Sequence, residues 1–432
     1  MAKRTILIVG SGGREHALAW ALARSPEAGQ IFVAPGNAGT ATLPRVQNIA
    51  LRADDLAGLR DFALAQKVDI TVVGPEAPLA AGIVDLFQTA GLRCFGPTQA
   101  AAQIEASKAF AKSVMMEAGV PTARHATFTD FAAARDYVHR QGGRVVVKAS
   151  GLAAGKGVTV CSSVGEAEDA LRTALVEQAF GEAGETVVIE ERLEGPELSL
   201  LGFSDGRTVV PMLTARDHKA AYDGDRGPNT GGMGAFAPVP GMEEIERLAD
   251  LTLRPIIAAL ARRGTPYVGV LYAGLMLTRD GPRVLEYNCR LGDPEAQVIL
   301  PLLETDLLAL LNACLSGTLD GVRLDWREGA AATVVLASGG YPGAYRTGFP
   351  IRGLEAAGAL PGVLVFHAGT KRLADGVVTA GGRVLNVTAY GPTLSDALTR
   401  AYEGVRCIAF EGMHYRRDIG HSVVESPPPL IS

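Results

Sequence analysis

Through the first hundred residues the apolar positions fall in short runs that end in glycine or proline, and each run is followed by a segment with helical spacing. "TILIVG", "QIFVAPG", "DITVVGP" and "RCFGP" read as strands, with "REHALAWALARS" and "DLAGLRDFALAQKV" as amphipathic helices between them. The alternation predicts a Rossmann-like, doubly wound parallel α/β sheet over residues 1–104. In such sheets ligands sit beyond the carboxyl ends of the strands, which is where "GSGGRE", "PGNAGT" and "GPEAP" fall.

The pattern then changes. A helical stretch, "TQAAAQIEASKAFAKSVMMEAG", leads into the strand "RVVVKAS", a glycine-rich turn, "VTVCSS", a further helix and "TVVIEERLEG". Four more strand-like runs, "ELSLLGFS", "TVVPMLTARD", "YVGVLYAGLMLT" and "RVLEYN", make the middle of the chain α+β. After Leu319, "AAATVVLASGGYPG", "GVLVFHAGT", "RVLNVTAYG" and the helix "TLSDALTRAYEGV" predict a separate small α/β domain over 326–426, with 427–432 as a flexible tail.

A chain of 432 residues, 47% of them hydrophobic, exceeds one ordinary core and has enough apolar residues to fill several. The net charge of −5 is small and no basic tract stands out, which argues against nucleic acid or an anionic membrane as partner and for a small molecule. Cys94, Cys161, Cys289, Cys314 and Cys407 are scattered and form no C-x-x-C pair, so neither a disulfide framework nor a zinc site is indicated. "MAKR" leads straight into a strand, leaving no room for a signal peptide, and no apolar run reaches spanning length. A cytoplasmic location is expected.

"VGSGGREHA" begins like a dinucleotide fingerprint but has Glu15 where the third glycine belongs, and no acid follows the second strand. What remains is a helix opened by Gly12, Gly13 and Arg14, either an anion seat of free N–H groups or simply a tight strand-to-helix turn. "KASGLAAGKGV" is not a Walker loop, because three residues separate Gly151 from Gly155 and Gly157 stands where Ser or Thr would bind metal. It reads as a glycine hairpin between a strand ending at Lys148 and one starting at Val158, carrying Lys156. Such a hairpin is able to fold over a polyphosphate, or it is a mobile surface turn. Only eight lysines stand against thirty-three arginines, so Lys108, Lys148, Lys156 and Lys219 in or beside these motifs favour a function. "IEERLEGPE" places Glu190, Glu191 and Leu193 at a strand end and Glu197 just beyond, suited to adenine and ribose or to an acidic edge in water.

In "VLEYNCRLGDPE", side chains alternate along the strand, so Glu286 and Asn288 share a face while Tyr287 points away. A carboxylate and an amide oxygen side by side are hard ligands for Mg²⁺ or Mn²⁺ at about 2.1 Å, with phosphate oxygens and water completing the shell. The competing reading is a salt bridge to Arg290. Asp293 and Glu295 also suit the start of a helix, Asp293 as its N-cap. "ARDHKAAYDGDRGPNTGGMGAF" puts Asp217, His218 and Lys219 at a strand end before a long irregular glycine loop. His218 by itself reads as a hydrogen-bonded structural histidine.

"GNAGT", "GPEAPL", "GLAAGKGV", "DHK", "GPNTGGMGA", "EYNCRLGDPE", "ASGGYPG" and "FHAGT", in this order and across nearly the whole chain, resemble the glycinamide ribonucleotide synthetase family of the ATP-grasp superfamily. The resemblance implies an ATP-grasp core over 105–325 with a mobile lid at about 122–193. It also implies ATP-dependent ligation of glycine to 5-phosphoribosylamine through glycyl phosphate, in de novo purine biosynthesis. By the same resemblance Glu286 and Asn288 hold the metal, while Lys108, Lys148 and Gly155, Lys156 and Gly157 hold ATP phosphates. Glu190, Glu191, Leu193 and Glu197 meet adenine and ribose. Gly12, Gly13, Arg14, Asn37 and Glu76 bind phosphoribosylamine, and Asp217 and Arg290 take glycine's ammonium and carboxylate, with Asp293 also on the substrate side. Lys148, Arg290 and Asp217 are the residues implied in catalysis; a monomer is expected, with a dimer as the alternative. Ser150, Ala220 and Leu291 depart from the family pattern, which commonly has Asp, Arg and an aromatic there. Two rivals are a sister ligase with another acid and amine, and a nucleotide-binding regulator without turnover.

Overall fold

The computed structural model describes residues 3–153, 156–421 and 423. β1 (Arg4–Gly10) has Ile6 to Val9 buried on both faces, as a central parallel strand must. It is followed by α1 (Gly13–Ala23), β2 (Ala28–Pro35), β3 (Val46–Asn48), β4 (Ile70–Val73) and β5 (Cys94–Phe95). The sheet is parallel throughout, in the order β3-β2-β1-β4-β5. Its order reverses between β1 and β4, so the turns after these two strands, Gly10–Gly13 and Gly74–Glu76, open into one crevice. β3 lies outside the expected strands, because three residues with partly exposed side chains carry no hydrophobic run.

β6 (His125–Phe128), β7 (Val145–Ala149), β8 (Val158–Val160) and β9 (Val187–Glu191) form an antiparallel sheet of order β6-β9-β7-β8. Two helices cover it, each started by a side-chain cap: Asp130 accepts from Ala133 N–H at 2.8 Å and Ser163 from Glu166 N–H at 3.2 Å. The first ends on Gly142 with φ +73°, a left-handed stop that suits glycine. Ala134, Val138, Val147, Leu171 and Ile189 give this unit a small core of its own.

The chain continues through β10 (Glu197–Asp205), β11 (Val209–Pro211), β12 (Arg216–Asp217), β13 (Ala220–Tyr222), β14 (Arg226–Asn229), β15 (Gly234–Ala237), β16 (Val268–Thr278) and β17 (Gly281–Asn288). β11-β10-β16-β17 is an antiparallel sheet, and β13 and β14 pair as a hairpin. The last strands are β18 (Ala330–Ala337), β19 (Val363–His367), β20 (Thr370–Leu373), β21 (Gly376–Thr379) and β22 (Arg383–Gly391). β20 and β21 pair as a second hairpin.

The C-terminal stretch does not form a sheet of its own strands alone. β18, β22 and β19 extend a sheet whose other strands, β12 and β15, come from the middle of the chain, in the order β12-β15-β18-β22-β19. Pairing β15 with β18 satisfies the backbone of a strand that would otherwise be an open edge. It also anchors Asp217, on β12, to the C-terminal region. No helix among the described residues is long and apolar enough to cross a membrane.

Phe236 sits in β15 at 0% exposure, opposite Ala332 of β18. Phe236→Ala should therefore cost about 3–5 kcal/mol in chemical denaturation, with hydrogen exchange rising in 330–337 as well as 216–217. Faster exchange in only one of the two segments would show that the sheet is not one unit.

Candidate active site

β17 pairs with β16 through a register shift opposite Leu285, and beyond it Glu286 and Asn288 lie on the same face, as alternation requires. Tyr287 points the other way into the core, its hydroxyl donating to Thr252 O. Glu286 makes no ion pair among the described residues. Burial raises its carboxyl, but Lys219, Lys148, Lys108 and Arg290 together outweigh burial and hold it below its ordinary value. The competing salt bridge to Arg290 is not formed, since that guanidinium lies 3.1 Å from Glu105 and 3.4 Å from Glu76. Its one contact with the pair is a 3.4 Å approach of NH2 to Asn288 Oδ1.

An ionised, unpaired carboxylate beside an amide oxygen fits a hard divalent cation. No group of three or more His, Cys, Asp or Glu side chains among the described residues is arranged to hold a metal by itself. The pair therefore suits an ion that takes its remaining oxygens from phosphate and water.

Lys148, at the end of β7, reaches across the cleft to Leu285 O at 3.1 Å and pairs within its own sheet with Glu190 Oε2 at 2.9 Å. Lys112 lies 3.0 Å from Glu190 Oε1 and donates to Thr122 Oγ1, which donates in turn to Val284 O. Glu190, expected beside adenine's amino group, is thus the shared anion of two buried lysines. Its Oε1 still lacks a directed hydrogen bond. Burial lowers the Lys112 ammonium to about 8 although Glu190 opposes the shift. Lys108 donates to Gly151 O at 3.2 Å, and burial lowers it too, against the pull of Glu286. Sequence reading missed Lys112, although it stands one turn beyond Lys108 on the helix Lys108–Ala118.

The expected glycine hairpin is present, with Lys148 opposite Val158. Gly157 packs so closely that a Cβ there would lie 2.8 Å from Ala153 Cβ, while Lys156 is exposed. Gly155 lies outside the described residues. Glu191 pairs with Arg124 at 2.7 Å, and its own N–H is already donated to Arg124 O. Leu193 is half-buried in the link after β9, and Glu197 meets Lys219 Nζ at 2.6 Å. Ser150 accepts from Ala109 N–H, and its carbonyl accepts from Lys108 N–H, so it fixes the helix that carries Lys108 and Lys112.

On the N-terminal side the expected anion seat is filled from within. Glu15, 2% exposed, accepts from Gly12 N–H at 2.5 Å and pairs with Arg14 Nε at 2.6 Å. A Cβ on Gly10 or Gly74 would meet the Glu15 side chain at 2.6 or 2.0 Å. The glycines here make room for an acid. At Gly13 a Cβ would strike the amides of Asn386 and Gln297, at 2.3 and 2.6 Å.

Asn37 has its whole amide committed, donating to Ser11 O and His367 O and accepting from Gly39 and Thr40 N–H. It shapes a loop, with its side-chain donors and acceptor already engaged. Glu76 opens a short helix and faces Arg290. Burial raises its carboxyl, but Arg290 and Arg14 outweigh that and hold it low.

Arg290 likewise has little of its fork free. NH2 serves Glu105, NH1 approaches Leu291 O at 3.4 Å, and Nε lies near Glu76 without a directed hydrogen bond. Nε is buried and stays without a directed hydrogen bond. Asp293 does not cap the helix Ala296–Leu302 as expected; it accepts from Gln297 Nε2 at 2.7 Å and lies 3.5 Å from Arg383 NH1. Arg383 also donates to Gly231 O and Asp293 O, tying β22 to the glycine loop. The buried Leu291 contributes its carbonyl to Arg14.

The expected irregular loop is instead the β13–β14 hairpin followed by β15. Asp217 is half-exposed at its base. Loss of water around it, with Glu295 and Glu197 adding, pushes its carboxyl up to about 7 against the opposing pull of Lys219. His218 is buried and lowered to about 4, chiefly by burial, and its Nε2 accepts from Gly420 N–H as a neutral structural group.

Three family models lie along the chain: the phosphoribosylglycinamide synthetase N domain at 4–105, its ATP-grasp (A) domain at 106–296 and its C domain at 331–422. The chain belongs to the phosphoribosylglycinamide synthetase family. It is 54% identical over 423 residues to a phosphoribosylamine–glycine ligase of Nostoc sp., covering 97% of this chain and 99% of the relative. Identity is 53% over 429 residues with a trifunctional purine biosynthetic protein of Gallus gallus, covering 98% of this chain and 42% of that one. The crystal structure of a phosphoribosylamine–glycine ligase from Thermotoga maritima superposes with TM-score 0.84 at 34% identity, over 96% of this chain and 100% of that one. A Campylobacter jejuni biotin carboxylase shares the fold at TM-score 0.74 and 15% identity, over 98% and 95% of the two chains.

Glu15, Glu105, Lys112 and Arg383 are groups of the site that sequence reading missed. Each acts on another side chain, and only Glu15, at the failed fingerprint position, and Lys112, one turn from Lys108, were marked by spacing. Lys112→Met should cost about 3–5 kcal/mol by leaving Glu190 half-compensated, and adding Glu190→Gln should recover part of that loss. Strictly additive losses in thermal unfolding would mean the two charges are not coupled.

Proposed function

We propose that the protein joins glycine to 5-phosphoribosylamine, using ATP, by way of glycyl phosphate. The observation that carries the reading is the unpaired, ionised Glu286 beside Asn288, facing Lys108 and Lys148 across one cleft. A carboxylate is a poor acylating agent, so its oxygen first attacks the γ-phosphorus, the bond to the β-phosphate oxygen breaks, and ADP leaves. The amine nitrogen of phosphoribosylamine then attacks the acyl carbon, the bond to phosphate breaks, and the nitrogen sheds a proton. Family membership and the relatives' names support the overall reaction.

In this reading Lys148, Lys108 and the 155–157 turn hold the phosphates, mostly by charge and position. A bound Mg²⁺ or Mn²⁺ at Glu286 and Asn288 would neutralise charge on the transferring group. Asp217, beside Lys219, receives the glycine ammonium, and Arg290 receives its carboxylate. Glu76, within reach of Arg290, faces the amine substrate.

The test is ADP release dependent on both glycine and phosphoribosylamine. Glu286→Ala should lose about three orders of magnitude or more in kcat, whereas activity near the parent's removes the metal assignment. Release with other acids in place of glycine would point to a sister ligase instead. Asp217 gives a second check. Its carboxyl must be ionised to take an ammonium, so the KM for glycine should rise as pH falls below about 7, and Asp217→Asn should flatten that rise. A glycine KM in the parent that is level between pH 6 and 8 would rule out this role.

A further inference from the structure

The β13–β14 hairpin is a two-stranded sheet with no third strand among the described residues, and such hairpins are marginal on their own. Its turn is also strained: Gly224 and Asp225 take φ of +71° and +52°, and the second is not a glycine. What holds it is a segment nearly two hundred residues away. Arg416, 1% exposed, donates through Nε and NH2 to both oxygens of Asp418 at 2.8 and 2.7 Å, and through NH1 to Asp225 Oδ1 at 2.7 Å and Ala220 O at 3.3 Å. Its neighbours continue the seam. Arg417 N–H donates to Asp223 at 2.8 Å, Gly224 N–H to Asp418 at 2.8 Å, and His414 Nε2 lies 2.7 Å from Ala221 O.

The hairpin is rigidly continuous with the candidate glycine site. Thr230 N–H donates to Lys219 O at 2.7 Å, His218 N–H to Gly234 O and Met233 N–H to His218 O. Any tilt of the hairpin is therefore passed to Asp217 and Lys219. A buried guanidinium is costly unless its donors are paired, and this one is paired across the seam.

We propose that Arg416 is a positioning residue for glycine: by bracing the β13–β14 hairpin through Asp225 and Asp418 it fixes Asp217 and Lys219 where the amino acid binds. The inference rests on the reading of Asp217 as the ammonium receptor. It also gives Ala220 a role, since the backbone carbonyl there, not the side chain, meets the brace.

The test uses the full-length chain with Arg416→Lys and, because a buried arginine is a risk to folding, Asp225→Ala at a side chain 76% exposed. Both variants should raise the KM for glycine about tenfold, leave the KM for ATP within about twofold, and speed tryptic cleavage after the exposed Arg226 about tenfold or more. A folded variant whose cleavage rate and glycine KM both match the parent's would overturn the brace. So would an equal rise in both KM values, which marks general destabilisation. Asp217→Asn separates the two ideas. An unchanged glycine KM there sinks the reading of the site, while the cleavage rate in the hairpin variants still judges the brace alone.

Discussion

Positive charge gathered around one carboxylate is the constraint on which the centre of this molecule depends. Lys108, Lys112 and Lys148 converge on Glu190 and Glu286, so the buried cluster holds one cation more than it has anions. Arg290 and Lys219 lie outside that group and face the acids Glu105, Glu76, Glu197 and Asp217, so the excess is local to the three lysines. An excess of charge out of water is unfavourable and is kept only where a ligand of opposite sign arrives. A triphosphate with a divalent cation brings that sign with some charge to spare. The same excess holds Glu286 ionised despite its burial.

Much of the architecture was legible because it is local. The strand-glycine-helix alternation of the first hundred residues is a periodicity, and β1, β2, β4 and β5 follow it. The turn from Lys148 to Val158 was legible for the same reason, since glycine composition and flanking β-branched residues specify a hairpin without outside help. The union of β15 with β18 left no such trace. Those strands are about a hundred residues apart in sequence, each reads equally well as an edge, and nothing in "GAFA" or "AAATVVLA" names its partner.

In the site, the residues that face the cleft were legible and those behind them were not. Glu286, Asn288 and Lys148 are unusual for their strands, because a polar group at a strand end needs a reason. Glu15, Glu105 and Lys112 sit in helices, where charged residues are ordinary, and only three-dimensional pairing gives them meaning. Asn37 and Asp293 differ in the other direction. The Asn37 amide is taken up by its own loop, and Asp293, expected as a cap, instead accepts from Gln297 Nε2 inside the helix it was expected to start.

The way the β6–β9 unit is attached suits a part that moves over a nucleotide. Its apolar side chains form a separate small core, so a change in its angle to the rest exposes little hydrocarbon. Its links to the remainder at the cleft are polar: Lys148 to Leu285 O, Thr122 to Val284 O, Lys108 to Gly151 O, and Glu190 to Lys112. Polar links of this kind lose much of their energy when water replaces them, but they regain most of it from the solvent, whereas an apolar seam would not. Two of the lysines that fasten the unit, Lys108 and Lys148, are those proposed to hold the phosphates. On that proposal a nucleotide entering the cleft competes for groups that set the unit's angle, and binding and closure become one electrostatic event.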